Sequence, residues 1–402
     1  MSETRGPLAG LVVCEVATVL AGPYCGMLLG DLGADVIKVE PPGGDPTRGW
    51  GPPFAGGPGQ HGGESAYFLS INRNKRSVEL DLHATAGRDA LARLLSRSDV
   101  LIENFRPGAF AESGFDDARL ERVNHGLVHL AITGYGTDGP LADRPGYDFI
   151  VQARSGLMSI TGASDEEGGA PTKVGVAITD LTAGMLGTVA VLAALRERDS
   201  PGGRGQRIDL SLIGSTLSWL ANQGANYLVG GAVPGRLGNA HPNITPYETF
   251  ATRDGVIAVA VGSEAQWRRF CGVLDLTGLA AEAPFATNAT RVANRVALRA
   301  VLEPVLSQRT TGAWLELLTA ADVPCGPINT VAEAFEDPEL PASARPVTVE
   351  HPTAGTLRLP GMPFALSSTP TSVRRPPPLL GEHTEEVFAW LDTADTADTA
   401  SD

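Results

Sequence analysis

The sequence predicts an α/β protein built on a parallel sheet, with a second, smaller α/β domain, and three observations predict it. Through the first half, short apolar runs alternate with helix-patterned stretches, the βαβα rhythm of a parallel sheet with helices on its faces. The composition, 43% hydrophobic and 19% charged over 402 residues, is that of an ordinary globular chain. Beyond about residue 225 the rhythm gives way to a hairpin signal and a cluster of helices. The expected layout is therefore a large domain over 1–224, an inserted domain over 225–338 and a return to the large domain over 339–391. The acidic, low-complexity remainder, 392–402, is expected to lack structure.

Each element has its own signal. LVVCEV (11–16) and DVIKVE (35–40) are strand runs, and AGPYCGMLLGDLGA between them has helical spacing and a closing glycine. The Gly/Pro-rich stretch over 42–66 is a long loop, and loops of that length are uncommon unless functional. SVELDL, helical ATAGRDALARLLSRS, strand DVLIENF, helical DDARLERVN and strand LVHLAIT follow in order. Beyond 200 come a short strand in GRGQRIDLSL, a helical TLSWLANQGANYLV and a hairpin in ETFATRDGVIAVAV. Two more helices, NRVALRAVLEPVLSQ and TGAWLELLTAA, precede the strand-like PVTVEHPTAGTLRLPGMPFALS and a last helix after PPPLLGEHTEEV.

Composition also narrows function. A net charge of −15 argues against nucleic acid or an anionic membrane as partner. A phosphate-bearing ligand would then depend on local cations near Lys75, Arg106 and Arg144. Cys14, Cys25, Cys271 and Cys325 are scattered without a C-x-x-C pair, which reads as reduced thiols in a cytoplasmic protein, with no metal site. No apolar run of spanning length lacks charges or glycine breaks, so no transmembrane helix is expected.

GYGTDG (134–139) matches a dinucleotide fingerprint and follows a strand, but the chain continues PLADRPGYD. Pro140 and Pro145 stop the helix that such a site requires, so this is a ligand-facing loop at a strand end. ENFRPGAF (103–110) is either a polar ligand turn or an ordinary turn in which Asn104 caps a short helix. NRNKRSVELDL (72–82) is either a phosphate patch or a solvated strand entry. In GVAITDLTAGMLG (175–187), Asp180 is the single carboxylate in an apolar, Gly- and Thr-rich run. It reads as a helix N-cap, held ionised by the helix terminus and so available as a nucleophile. Gly175, Ala177, Ala183 and Gly184 around it would leave room for a substrate.

Taken in order, LAGPYCGMLLGDLGADVIKVEPPGGDPTR, NRNKRSVELDL, ENFRPGAF, ITGYGTDGP, RPGYDF, the Asp180 segment and GRGQRIDLSL resemble the class III CoA-transferases, the family of formyl-CoA transferase and the carnitine CoA-transferases. The resemblance runs from about 7 to 391. It implies a Rossmann-like large domain, an inserted smaller domain and an interlocked, ring-like homodimer. It implies an enzyme moving CoA from an acyl-CoA to a small carboxylic acid, with acyl-CoA as substrate and no resident cofactor. In such a reaction Asp180 forms first an acyl anhydride and then a CoA thioester. By the same resemblance CoA contacts fall on Leu20, Ala21, Leu80, His83, Asn104, Phe105, Arg106, Tyr147 and Asp148, and acid contacts on His241 and Asn243. Leu20, His83 and Glu112 stand where formyl-CoA transferase has Gln, Lys and Arg, which points to a different acid. The rival within the same fold is an α-methylacyl-CoA racemase, whose proton-transferring His is replaced here by Tyr147, a poor base at neutral pH.

Overall fold

The computed structural model describes residues 6–56 and 63–399. Two compact units divide the chain: Met1–Ser155, Gly175–Trp219 and Glu339–Asp402 form the first, and Gly156–Val174 with Leu220–Pro338 form the second. The second unit thus takes residues 156–174, which the sequence pattern had assigned to the large domain, and its boundary falls at 219/220 rather than 224/225.

Six strands make the sheet of the first unit: β1 (Val12–Glu15), β2 (Asp35–Glu40), β5 (Lys75–Glu79), β6 (Val100–Glu103), β7 (Val128–Thr133) and β8 (Arg207–Ser211). Their order is β5-β2-β1-β6-β7-β8, and every pair is parallel. The short β3 (Phe54–Ala55) and β4 (Glu64–Ser65) pair with each other in the long loop. The helices of this unit are α1 (Ala21–Asp31), α2 (Ala66–Ile71), α3 (Thr85–Ser96), α4 (Ala109–Glu112), α5 (Asp117–Val123), α6 (Asp148–Arg154), α7 (Ile178–Arg198) and α8 (Leu212–Trp219).

Parallel strands are covered on both faces, and β1, β2, β6 and β7 read accordingly as near-continuous apolar runs. One face buries Val13, Val36, Ile102 and Leu130 against Cys25 and Leu29 of α1 and Val191 of α7. The other buries Cys14, Ile37 and Leu101 against Leu91 and Leu94 of α3. Helix α7, with 21 residues, is long and apolar enough to cross a membrane by length and composition alone, although Asp180, Gly184 and Gly187 interrupt its apolar run. Its apolarity has a local use, because Ala183, Val191, Ala194 and Leu195 belong to the core of this unit. A Cβ on Gly184 would come within 2.7 Å of the Ala21 carbonyl oxygen, so glycine is what lets α7 approach α1.

In the second unit β9 (Tyr247–Ala251), β10 (Val256–Ala260) and β11 (Cys325–Pro327) form an antiparallel sheet. Its helices are α9 (Ala221–Leu228), α10 (Glu264–Val273), α11 (Asn288–Ala293), α12 (Arg295–Leu306), α13 (Thr311–Ala320) and α14 (Val331–Glu336). Phe250, Ile257, Trp267, Phe270, Leu298, Leu302 and Trp314 form its separate core. The single helix expected over TLSWLANQGANYLV is two, α8 and α9, broken after Trp219, with Ala221 at φ +46° opening α9.

The returning segment carries the hairpin β12 (Val347–His351) and β13 (Gly355–Leu359) and ends in α15 (Thr384–Thr399). The acidic tail expected to be without structure from 392 is therefore helical as far as Thr399, and 400–402 lie outside the described residues. Val387 and Leu391 anchor the start of α15 in the core. Extending a nucleated helix through Ala, Asp and Thr, with no Gly or Pro, needs no further nucleus.

Candidate active site

The carboxyl ends of β1, β6 and β7 open onto two cavities. The first, about 490 Å³, is lined by Val16, Thr18, Val39, Leu80, His83, Asn104, Phe105 and Glu112, among others. The second, about 360 Å³, is lined by Val19, Leu20, Ala21, Arg106, Arg144, Tyr147 and Asp180, and it shares Thr18, Asn104 and Phe105 with the first. A shared wall makes them suited to the two ends of one elongated ligand. Strand ends of a parallel sheet are where α/β proteins place ligands.

Asp180 reaches this wall from the first turn of α7, half-buried. It is not the N-cap: Ala177 occupies that position without a side-chain bond. The cap comes from α6 instead, where Asp148 Oδ1 accepts from the Thr179 backbone N–H at 2.9 Å and from Thr179 Oγ1 at 2.8 Å. Gln152 Nε2 donates to the other Asp148 oxygen at 2.8 Å. The division of labour corrects the reading of Asp180 as a cap. Asp148 supports the helix that carries Asp180 and is absent from both cavity walls. Asp180, relieved of capping, is not held ionised either: burial, aided by the Asp148 charge, pushes its carboxyl up to about 7. The small residues beside it are only partly space for a ligand, since Ala183 and Gly184 are buried against the core and α1.

Tyr147 precedes α6 and is exposed at the cavity mouth. Its loop folds back because Gly134 and Gly146 meet backbone to backbone. A Cβ on Gly134 would lie 2.5 Å from Gly146 Cα. That close approach, rather than dinucleotide binding, is what the first glycine of GYGTDG does, and no helix follows the motif. Asn104 is not the cap of α4, a place taken by Gly108 at φ +81°. Its amide brackets Thr18, accepting from the backbone N–H at 3.0 Å and donating to the carbonyl at 2.8 Å. Phe105 stacks on Phe110 at 5.6 Å between centroids.

The basic stretch 72–76 fits neither earlier reading. Asn72, Arg73, Asn74, Lys75 and Arg76 are all buried. Lys75 Nζ lies 2.8 Å from Glu15 Oε2, and Arg73 Nη2 lies 2.6 Å from Asp31 Oδ2. Cations on the cavity walls are Arg106, paired with Glu112, and Arg144, which has no ion-pair partner among the described residues. Arg236 is engaged by Asp165.

His241 and Asn243 belong to the second unit. There the His241 ring accepts from the Asn243 backbone N–H at 3.1 Å, and Asn288 Nδ2 donates to the Asn243 carbonyl at 2.9 Å.

Sequence reading missed Tyr67 and Trp50. Tyr67 starts from the Ser65-capped α2 and meets Trp50 edge-on, with ring centroids 5.1 Å apart. Burial first, then the charges of Asp180, Asp148 and Asp45, pushes its hydroxyl up to about 12, which keeps it protonated. Only the Ser-x-x-Phe cap after the glycine run could have hinted at α2.

Proteins named as CoA-transferases are similar to this chain over nearly its whole length. The succinate–glutarate CoA-transferase of Agrobacterium fabrum is 44% identical over 407 residues, covering 99% of this chain and 99% of its own. The human succinyl-CoA:glutarate CoA-transferase is 40% identical over 383 residues, covering 95% of this chain and 85% of its own. The crystal structure of a CAIB/BAIF family protein from Brucella suis, 41% identical, superposes with a TM-score of 0.84 over 96% of this chain and 100% of that one. The family model for CoA-transferase family III matches residues 8–384. The chain belongs to CoA-transferase family III and is a class III CoA-transferase.

Proposed function

We propose that this enzyme exchanges CoA between short dicarboxylic acids, with Asp180 carrying first the acyl group and then CoA. The observation that carries this reading is Asp180 itself, half-buried on the wall of a cavity at the strand ends with no cationic partner among the described residues. An Asp180 oxygen attacks the acyl-CoA carbonyl and expels CoA thiolate, giving an aspartyl-acyl anhydride. The thiolate attacks the aspartyl carbonyl and releases the donor acid, leaving an aspartyl-CoA thioester. The acceptor carboxylate displaces CoA thiolate from that thioester to form a second anhydride, and thiolate attack on its acyl carbonyl frees acyl-CoA and Asp180. The net reaction exchanges one CoA thioester for another of similar energy, so no ATP is consumed. Leu80, His83, Asn104 and Phe105 suit the nucleotide end of CoA, and Leu20, Ala21, Arg106 and Tyr147 the acyl end. The active form is proposed as a homodimer, which the exposed Leu228, Val229 and Val233 support. Quenching turnover with hydroxylamine tests the covalent steps: a hydroxamate at Asp180, located by mass spectrometry, is expected. Modification at another carboxylate would overturn the assignment.

The dicarboxylate class rests on the relatives, which act on succinate and glutarate by name, and on Arg144. With Arg106 held by Glu112, Arg144, on the same cavity wall, is the cation proposed to meet the distal carboxylate. Arg144→Ala is expected to raise KM for glutarate or succinate about tenfold, the weight of one charge-assisted hydrogen bond, while a monocarboxylic acceptor is unaffected. Equal changes for both acids would count against this role.

The raised carboxyl also sets a pH dependence. A nucleophilic Asp180 must be ionised, and below about 7 the protonated form dominates. kcat/KM is expected to fall about tenfold per pH unit below that point and to level off above it. A flat profile down to pH 5 would exclude Asp180 as the titrating nucleophile.

A further inference from the structure

The turn from β1 to α1 is held atom by atom from outside itself. Lys38 Nζ donates to the Ala17 carbonyl at 2.9 Å, and Asn104 takes both polar backbone atoms of Thr18. Asp45 accepts from the Val19 backbone N–H at 3.2 Å. Val19 needs such a hold, because its φ is +70°, the left-handed region. A β-branched residue is an outlier there, and such strain persists only where the surroundings over-determine it, typically at functional sites. Gly or Asn would meet the same turn without strain.

The hold is anchored on buried charge. Asp45 Oδ2 lies 3.0 Å from Lys38 Nζ, and Lys38 Nζ lies 2.9 Å from Glu15 Oε1, all three residues being at most 1% exposed. Thr47 adds two bonds to Asp45 Oδ1, from its N–H at 2.9 Å and its Oγ1 at 2.7 Å. Asp45 is thereby oriented from both sides. What it orients is functional surface: Val19, Leu20 and Ala21 line the same cavity as Asp180, and α1 starts there with no side-chain cap.

We propose that Asp45, seated on Lys38, is a positioning residue for CoA transfer, fixing the strained Val19 turn as part of the wall of the cavity that holds the reacting carboxylate. The inference rests on Asp180 as the reacting group. A reacting thioester tolerates little displacement, and misplacement of about 1 Å by a remote change costs about 100-fold in rate.

Two variants test it. Asp45→Asn keeps size and an acceptor for the Val19 N–H but removes the charge that Lys38 grips. Val19→Gly keeps the conformation accessible and removes what makes it rigid. Both are expected to fold, Val19→Gly with melting close to the parent and Asp45→Asn with a lowered melting temperature because a buried Lys38 loses one of its carboxylates. Both are expected to lower kcat about 10- to 100-fold, read well below the melting transition, with KM for succinyl-CoA changed less than threefold. Asp45→Glu is expected to recover part of the loss. Folded variants with kcat within twofold of the parent would overturn the proposal, as would kcat and KM moving together. Should Asp45→Asn fail to fold, Val19→Gly decides, and its own failure to fold would assign the turn to stability alone. Hydroxylamine trapping on the parent enzyme separates the two ideas: a hydroxamate away from Asp180 sinks the Asp180 reading, whereas a normal Asp180 adduct with unaltered variant kinetics sinks only the role of Asp45.

Discussion

Asp180→Asn is expected to lower CoA transfer by on the order of 10³-fold or more while leaving CoA binding and the fold in place. The loss follows from covalent chemistry, since an amide cannot form either the anhydride or the thioester. The same substitution is expected to raise the melting temperature above pH 4. Burial and Asp148 raise the folded-state pKa of Asp180 from 3.8 to about 7, so between those values the native state holds a proton that the unfolded chain releases. Stability from this group is therefore full below about pH 4, declines as pH rises to about 7 and then stays at its lowest level. Asn cannot ionise, and its stabilising effect should grow over that window and level off beyond it. Calorimetry from pH 4 to 8 and turnover at pH 8 check both halves. Residual activity within tenfold of the parent, or a melting difference independent of pH, would contradict the account.

A local reading of Asp180 fails because the cap of its helix comes from elsewhere in the chain. An Asp before an apolar helix looks like a cap, and the sequence within ten residues gives no reason to think otherwise. The cap is Asp148, thirty-one residues upstream, reaching Thr179 across the packing of two helices. Long-range capping of that kind leaves no spacing signature. The parallel sheet, by contrast, was legible, because strand periodicity and helix periodicity are local properties that the core enforces at every turn. The same distinction applies to ENFRPGAF. Its place at a strand end was readable, but the use of the Asn104 amide depends on Thr18, eighty-six residues away. Asp45 lies between these cases. The glycine- and proline-rich run over 42–66 reads as one long loop, yet the structure has a capped helical turn at Pro46–Gly49, begun by Asp-Pro-Thr. What the motif could not announce is Lys38, which turns that cap into an anchor for Val19.

The basic run 72–76 shows how far a charge pattern can point the wrong way, and it yields the second large expected effect. Arg73→Met is expected to cost about 3–5 kcal/mol, the usual penalty for leaving one member of a buried ion pair without its partner. Asp31 is 2% exposed and receives Arg73 Nε and Nη2 together with Asn74 Nδ2. Removing the guanidinium leaves its carboxylate with one amide and no cation. The consequence extends to the chain's last segment. Arg73 Nη1 donates to the Pro360 carbonyl at 2.7 Å, Asn74 Nδ2 to the Ser372 carbonyl at 2.8 Å, and Asn74 Oδ1 accepts from the Arg374 backbone N–H at 2.6 Å. The run thus fastens the returning segment to the sheet through backbone atoms, which explains why basic and amide residues are needed with no ligand in view. The Arg73→Met variant should show a lower urea midpoint and faster proteolysis between about 360 and 375. Adding Asp31→Leu should restore much of the midpoint, because the stranded charge is gone, but not the protease resistance, because the Pro360 carbonyl still lacks its donor. Full recovery of both would mean that the ion pair alone, and not the tether, holds the segment in place.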